Sequence, residues 1–118
     1  MKLINEYEYT IKKSRFIAYY YEIDNEDEAK GIIEFLKKEH KKARHIPYAY
    51  KVGSTAKKSD DKEPSNTAGS PIYNILEKNN LNNRLIAVVR YFGGIKLGAG
   101  GLIRAYSTAC KEVIKKDY

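Results

Sequence analysis

The chain has 118 residues, with 22 Lys and Arg against 15 Asp and Glu, which gives a net charge of +7. This length fits a single domain over residues 1–118, and the presence of one cysteine excludes an intrachain disulfide. The sequence has no secretory leader and no apolar run long enough for a membrane span. We therefore expect one cytoplasmic domain without membrane contact, whose basic surface attracts nucleic acid or other anions.

Two strands and a helix are predicted at the start of the chain. Tyr, Glu and Ile alternate up to Ile11, which indicates a half-buried strand, and the apolar residues 15–23 indicate a second one. Asn25 is a good N-cap, with Glu28 three residues later completing a capping box. The apolar face of the following helix is formed by Ala29, Ile32, Ile33 and Leu36.

A third strand is predicted over residues 45–52. Pro47 favours a sheet edge or the start of a strand there, because proline donates no hydrogen bond to a neighbouring strand. Residues 53–66 are nearly all polar, which predicts a mobile surface loop. Ser70 and Pro71 then supply the N-cap and first position of a second helix.

The last third of the chain predicts a strand and a helix joined by a glycine-rich segment. Residues 85–92 are nearly all apolar, as expected of a central strand. The final helix has apolar residues at helical spacing: Leu102, Ala105, Tyr106, Ala109 and Val113. The order ββαβαβα predicts an α/β (α+β) two-layer sandwich, with a four-stranded sheet and all helices on one face.

The glycine-rich segment RYFGGIKLGAGGLIRAYS, residues 90–107, is the main candidate site. It leads from a strand into a helix, where free backbone N–H groups and the positive end of the helix dipole favour anions. The segment matches neither the Walker A nor the dinucleotide fingerprint. Glycine can also serve only to allow a tight turn close to the sheet. The candidate anion-binding residues are Arg90, Lys96, Gly98, Gly100, Gly101 and Arg104.

A second polar segment, SDDKEPSNTAG, covers residues 59–69. Its carboxylates, on Asp60, Asp61 and Glu63, are oxygen ligands of the kind that magnesium prefers. The alternative is a solvated acidic turn whose side chains cap nearby backbone groups. No other cofactor is indicated, so magnesium is the one candidate.

Three segments resemble the N-terminal domain of the YigZ/IMPACT family: residues 12–18 (KKSRFIA), 60–72 (DDKEPSNTAGSPI) and 90–107. The resemblance runs from about Lys12 to Ser107, which is most of the chain. The family usually has glycine at the positions of Lys62 and Asn66, so the geometry of the acidic segment is the part most open to change. The resemblance implies a fold like domain 2 of ribosomal protein S5 and a loose association with regulation of translation. It also makes the basic residues Lys12, Lys13 and Arg15 secondary candidates for anion binding.

The leading functional prediction is a small binding module, without catalysis, that contacts RNA or the ribosome. One alternative is a magnesium-dependent hydrolase or transferase that handles phosphate with the acidic and glycine-rich segments together. Another is a protein-interaction domain whose basic surface meets an acidic protein partner.

Overall fold

The structure, a computed structural model, describes residues 1–117. Five strands form one antiparallel sheet in the order β1-β2-β5-β3-β4. The mixed α/β class is confirmed, but the sheet has five strands rather than the four predicted. The elements are β1 (Lys2–Ile11), β2 (Ser14–Glu22), α1 (Glu26–Glu39), β3 (Tyr48–Val52), β4 (Thr55–Ser59), α2 (Gly69–Lys78), β5 (Arg84–Tyr91), α3 (Gly98–Val113) and a final 3₁₀ turn (Ile114–Asp117).

The additional strand, β4, lies in the segment predicted to be a mobile loop. It pairs antiparallel with β3 from Val52↔Thr55 to Tyr48↔Ser59. Its sequence, TAKKS, has little apolar character because β4 is an edge strand whose side chains are mostly exposed. Lysines on an edge strand also discourage pairing with other chains. The loop prediction is therefore wrong for this part of the chain, since backbone hydrogen bonding, rather than side-chain burial, defines the strand.

Helices cover both faces of the sheet, so the prediction that all of them lie on one face is wrong. Alternate residues of β5 point to opposite sides and are buried on both. Leu85, Ala87 and Val89 pack in a cluster with α1, whereas Ile86 and Val88 pack in another with α2 and α3. No helix within residues 1–117 is long and apolar enough to cross a membrane.

The first helix begins as the sequence predicts. The Asn25 side chain accepts a hydrogen bond from the Glu28 amide at 2.9 Å. The Glu28 carboxylate in turn accepts from the amide of Asp24, also at 2.9 Å, one residue before the usual capping-box donor. This cap fixes the start of α1 where the apolar face of the helix meets β2 and β5.

The second helix, α2, begins two residues earlier than predicted, and its cap comes from elsewhere in the sequence. Ala68 is the N-cap residue and supplies no side-chain hydrogen bond. Asp60 accepts hydrogen bonds from the amides of Asn66, Ala68 and Gly69, the last at 2.7 Å. A carboxylate that comes before the helix in the chain thus satisfies the amides at its start.

Pro47 comes directly before β3, at the start of a strand as the sequence allowed. β3 is not an edge strand, because it lies between β5 and β4. The predicted start at residue 45 is too early, and only an isolated bridge between His45 and Arg90 continues the pairing. That bridge holds the segment before β3 against the end of β5, which is where the glycine-rich segment begins.

Candidate anion-binding site

The first turn of α3 is open. Gly98 has φ +74°, a left-handed conformation that favours glycine. Within the described chain, no side chain caps this helix, and its first turn carries no acidic residue. The amides of Gly98, Ala99 and Gly100 lack intrahelical acceptors by helix geometry and belong to exposed residues. They can therefore donate to an anion.

A cavity of about 380 Å³ lies at this helix start. It is formed where the first turn of α3 meets the end of β5, the segment before β3 and the acidic segment. Its wall is mainly apolar, with cationic side chains. The lining residues are Arg44, His45, Glu63, Pro64, Arg90, Phe92, Lys96, Leu97, Gly98, Ala99 and Leu102. The acidic and glycine-rich segments thus meet at one cavity.

Arg90, Glu63 and Tyr106 form a buried polar cluster beside the cavity. The Nη1 atom of Arg90 donates to both Glu63 carboxylate oxygens, at 2.9 and 2.7 Å, and the Tyr106 hydroxyl donates to Oε2 at 2.5 Å. Burial, reinforced by the charge of Glu63, raises the pKa of Tyr106 well above its ordinary value. Tyr106 therefore remains a neutral hydrogen-bond donor.

Arg90, a predicted anion-binding residue, is only 5% exposed, and its main partner within the fold is Glu63. One edge of its guanidinium remains unpaired, however. The buried Nε has no hydrogen-bond partner in residues 1–117, and Nη2 has none there either. The Nε–Nη2 edge is the side of arginine that binds carboxylate or phosphate in a two-bond fork.

Several lining residues were not among the sequence candidates, including Arg44, His45 and Phe92. The Arg44 guanidinium lies over the Phe92 ring, 4.7 Å from its centre, and both residues line the cavity. His45 places Nδ1 at 2.8 Å from the Asp61 carbonyl, which anchors the acidic segment to the segment before β3. Backbone pairing of residues 44 and 45 with Arg90 brings Arg44 and His45 to the glycine-rich segment, and the sequence gives no local signal of it.

The other glycine-rich candidates have different positions. Lys96 is exposed and lines the cavity. Arg104 is exposed on α3, with its Nη2 4.0 Å from the point where a Cβ on Gly100 would lie. Gly101 packs against Leu97, since a Cβ there would come within 3.2 Å of the Leu97 Cβ. Lys96 and Arg104 are therefore available to solution near the first turn of α3.

The secondary candidates lie at the β1–β2 hairpin. Lys12 and Lys13 form its two-residue turn, with φ of +48° and +67°, values that hairpin turns require but lysine seldom adopts. The turn packs directly on Gly93, where a Cβ would lie 2.1 Å from the Lys13 carbonyl carbon. Arg15 differs, because Glu8 pairs with it at 2.8 Å. The exposed Lys12 and Lys13 thus extend the basic surface next to the glycine-rich segment.

The three acidic candidates do not converge on one point. Asp60 caps α2, Asp61 accepts from the Ile46 amide at 2.6 Å, and Glu63 pairs with Arg90. Among residues 1–117, no group of three or more His, Cys, Asp or Glu side chains could hold a metal ion. The structure therefore gives these carboxylates roles in holding the acidic segment, and it assembles no magnesium site from them.

Comparisons with known proteins identify the family. The sequence model of the Impact N-terminal domain matches residues 12–114. The IMPACT family member YvyE of Bacillus subtilis is 46% identical over 115 residues, which cover 95% of this chain and 53% of that protein. A crystal structure described as that of a hypothetical protein has a TM-score of 0.89 and 36% identity, over 94% of this chain and 56% of the other.

A more distant structure shares the fold. The two-domain translational regulator Yih1 has a TM-score of 0.58 and 23% identity, over 96% of this chain and 45% of that one. The chain spans about half the length of the curated relatives it matches. The family match over residues 12–114 and the identity to YvyE confirm the resemblance seen in the sequence: this chain belongs to the IMPACT family, through its N-terminal domain.

Proposed function

We propose that this domain is a binding module for RNA, which it holds through phosphate groups at the start of α3. The observation that carries the proposal is the uncapped first turn of α3 at the mouth of a cavity lined by Arg44, Arg90 and Lys96. Glu63 is the one carboxylate in the lining, so the cavity keeps about two positive charges. The positive end of the helix dipole and the cationic side chains both attract an anion to this position.

RNA is favoured over a small anion because the basic surface extends beyond the cavity. Lys12 and Lys13 lie at the hairpin that packs on Gly93, and Arg104 lies along the first turns of α3. Several separated cations suit a chain with repeated phosphates. Yih1, which shares the fold, is a translational regulator, and this supports a partner in the cytoplasmic translation machinery, such as RNA or the ribosome.

The two alternatives have weaker support. A magnesium-dependent hydrolase or transferase needs free carboxylates at the phosphate site, whereas Glu63, the acidic residue of the cavity, is occupied by Arg90 and Tyr106. An acidic protein partner could use the same cations. Co-purification from nuclease-treated lysate separates the two binding modes, since a protein partner survives the nuclease and an RNA partner does not.

The test is the salt dependence of binding to a fluorescent single-stranded RNA between about 50 and 200 mM salt. The double variant Lys96→Ala/Arg104→Ala should bind more weakly, and its slope of log K against log salt should be smaller by about 0.7 per lost phosphate contact. The matched control is Lys30→Ala/Lys37→Ala, which removes the same charge from the exposed surface of α1. Equal affinity and slope in wild type and in Lys96→Ala/Arg104→Ala would refute the assignment.

A further inference from the structure

We propose that the cavity at the start of α3 is a pocket for one nucleoside 5′-monophosphate group, supplied either by a free nucleotide or by the 5′ end of an RNA chain. The inference rests on the proposed function and names the chemical group that enters the site. In this arrangement the phosphate lies on the amides of Gly98 to Gly100, and the base lies against the apolar wall.

The size of the cavity favours a single nucleotide. Its volume of about 380 Å³ is at the lower end of the range for small-molecule sites, roughly 300 to 1,000 Å³. Glu63 and Arg90, which line it, are both more than nine-tenths buried, so the cavity ends at them. A cavity of this volume has room for about one nucleotide, with Glu63 and Arg90 at its floor.

The charge of the pocket favours a terminal phosphate. Arg44, Arg90 and Lys96 contribute three cations, and Glu63 contributes one carboxylate. The two remaining positive charges and the positive helix end match a phosphate monoester, which carries a charge of about −1.5 to −2 at pH 7. An internal phosphodiester carries only one negative charge, so it would leave the pocket undercompensated.

Arg90 supplies an observation independent of the helix end. It is 5% exposed and lines the cavity, yet the Nε–Nη2 edge of its guanidinium has no acceptor among the described residues. A buried donor without a partner is costly and uncommon in folded proteins. Nη2 is the atom of that edge that is not fully buried, so it is the one to which a phosphate oxygen in the cavity would bind, while Glu63 keeps Nη1 fixed.

The remaining wall suits a planar base. Phe92, Pro64, Leu97 and Leu102 provide the apolar surface of the cavity. The Arg44 guanidinium, which lies over the Phe92 ring, adds a cationic side chain to this wall. Bases that are not paired in a helix commonly stack on aromatic rings and on arginine planes. Inorganic phosphate would bind the cations and amides but would leave the apolar wall without a partner.

Five ligands test the inference with the full chain: AMP, adenosine, inorganic phosphate, and one short single-stranded RNA with either a 5′-phosphate or a 5′-hydroxyl. Calorimetry should show AMP binding about tenfold more tightly than inorganic phosphate, since base stacking adds to the phosphate contacts. Adenosine should bind more weakly than AMP. The 5′-phosphorylated RNA should bind about tenfold more tightly than the 5′-hydroxyl RNA if the natural ligand is a chain end. Equal binding of the two RNAs, with AMP still favoured, assigns the pocket to a free nucleotide.

The variant Phe92→Leu separates the base from the phosphate. It should weaken AMP binding by a larger factor than it weakens inorganic phosphate binding, because Arg44 and Arg90 lie over the Phe92 ring and remain in the variant. Urea unfolding checks that the variant is folded. Equal affinities for AMP and inorganic phosphate in wild type would overturn the inference. So would binding of an acidic peptide in place of AMP.

RNA binding that is insensitive to AMP competition and to the 5′ group would refute the nucleotide pocket but not the proposal that the domain binds RNA. If the wild-type chain binds neither RNA at low salt, the proposed function itself is refuted.

Discussion

The sequence offers two candidate segments: the acidic segment, residues 59–69, and the glycine-rich segment, residues 90–107. In the structure they differ in whether their polar groups have partners within the fold. The polar groups of the acidic segment have partners inside the fold: Asp60 caps α2, and Glu63 holds Arg90 and Tyr106. The glycine-rich segment instead leaves the first turn of α3 uncapped at a cavity. The acidic segment therefore supports the site, and the glycine-rich segment provides the backbone amides that are open to a ligand.

This difference shows that polar residues alone do not locate a binding site. The Glu63 carboxylate already accepts hydrogen bonds from Arg90 and Tyr106, so it is held by partners within the fold. An open helix start beside an unpaired guanidinium edge has such capacity. Substitutions in the two segments should therefore change different properties: stability in the acidic segment and binding in the glycine-rich one.

The largest effect is expected for Glu63→Ala. Removing this carboxylate leaves Arg90 charged and buried without a partner, so the free energy of unfolding should fall by about 3–5 kcal/mol. Urea unfolding measures the loss. Lys96→Ala, in the other segment, removes an exposed charge and should change the same quantity by less than about 0.5 kcal/mol. Equal losses in both variants would erase the distinction between the segments.

Gly93→Ala should have the next largest effect, because a new Cβ would overlap the backbone of Lys13. The hairpin would have to move away from the glycine-rich segment, at a cost of about 1–3 kcal/mol. Thermal unfolding checks this loss of stability. A variant as stable as wild type would mean that the hairpin does not depend on this contact.

Asp60→Asn should cost about 0.5–1.5 kcal/mol at neutral pH, because both carboxylate oxygens accept from backbone amides and asparagine keeps only one acceptor oxygen. Burial opposes the charged form of Asp60, but hydrogen bonds from the amides of Asn66, Gly69 and Ala68 outweigh it and lower the pKa of Asp60. The stabilisation is therefore present above the unfolded pKa of about 3.9 and is lost as the pH falls through the lower folded pKa. Urea unfolding at a series of pH values should show the difference between wild type and Asp60→Asn shrinking at acid pH. A constant difference would contradict this role.

The smallest and most selective effect is expected for Gly100→Ala. A Cβ there meets only the tip of Arg104, so alanine should stabilise α3 by up to about 1 kcal/mol through its helix propensity. The same methyl group crowds the amides that bind phosphate, so RNA affinity should fall. Gly31→Ala, in an open position on α1, is the matched control and should gain stability without losing RNA affinity. Unchanged RNA binding by Gly100→Ala would argue against contact at the first turn.

Much of the fold could be predicted from local signals. The capping residue Asn25, the alternation in β1 and the apolar run of β5 each correctly marked an element. β4 could not be predicted, because its edge position removes the apolar alternation that identifies a strand. The continuous apolar run of β5 is consistent with burial on both faces. It does not indicate which helix covers which face.

The candidate site was predictable only in part. Glycines before a helix marked the first turn of α3, and Lys96 and Arg104 are exposed there. The sequence could not show that Glu63 neutralises Arg90, since the two are brought together by tertiary packing. It also missed Arg44 and Phe92, whose stacking depends on the pairing of residue 45 with residue 90.

The most direct test compares the amide signals at the starts of α2 and α3 by NMR as single-stranded RNA is added at low salt. The account predicts that the amides of Gly98, Ala99 and Gly100 shift on binding, because they donate to phosphate. The amide of Gly69, already bonded to Asp60, should not move. RNA binding with unmoved α3 amides, or with equal shifts at both helix starts, would contradict the claim that the open first turn is the binding site.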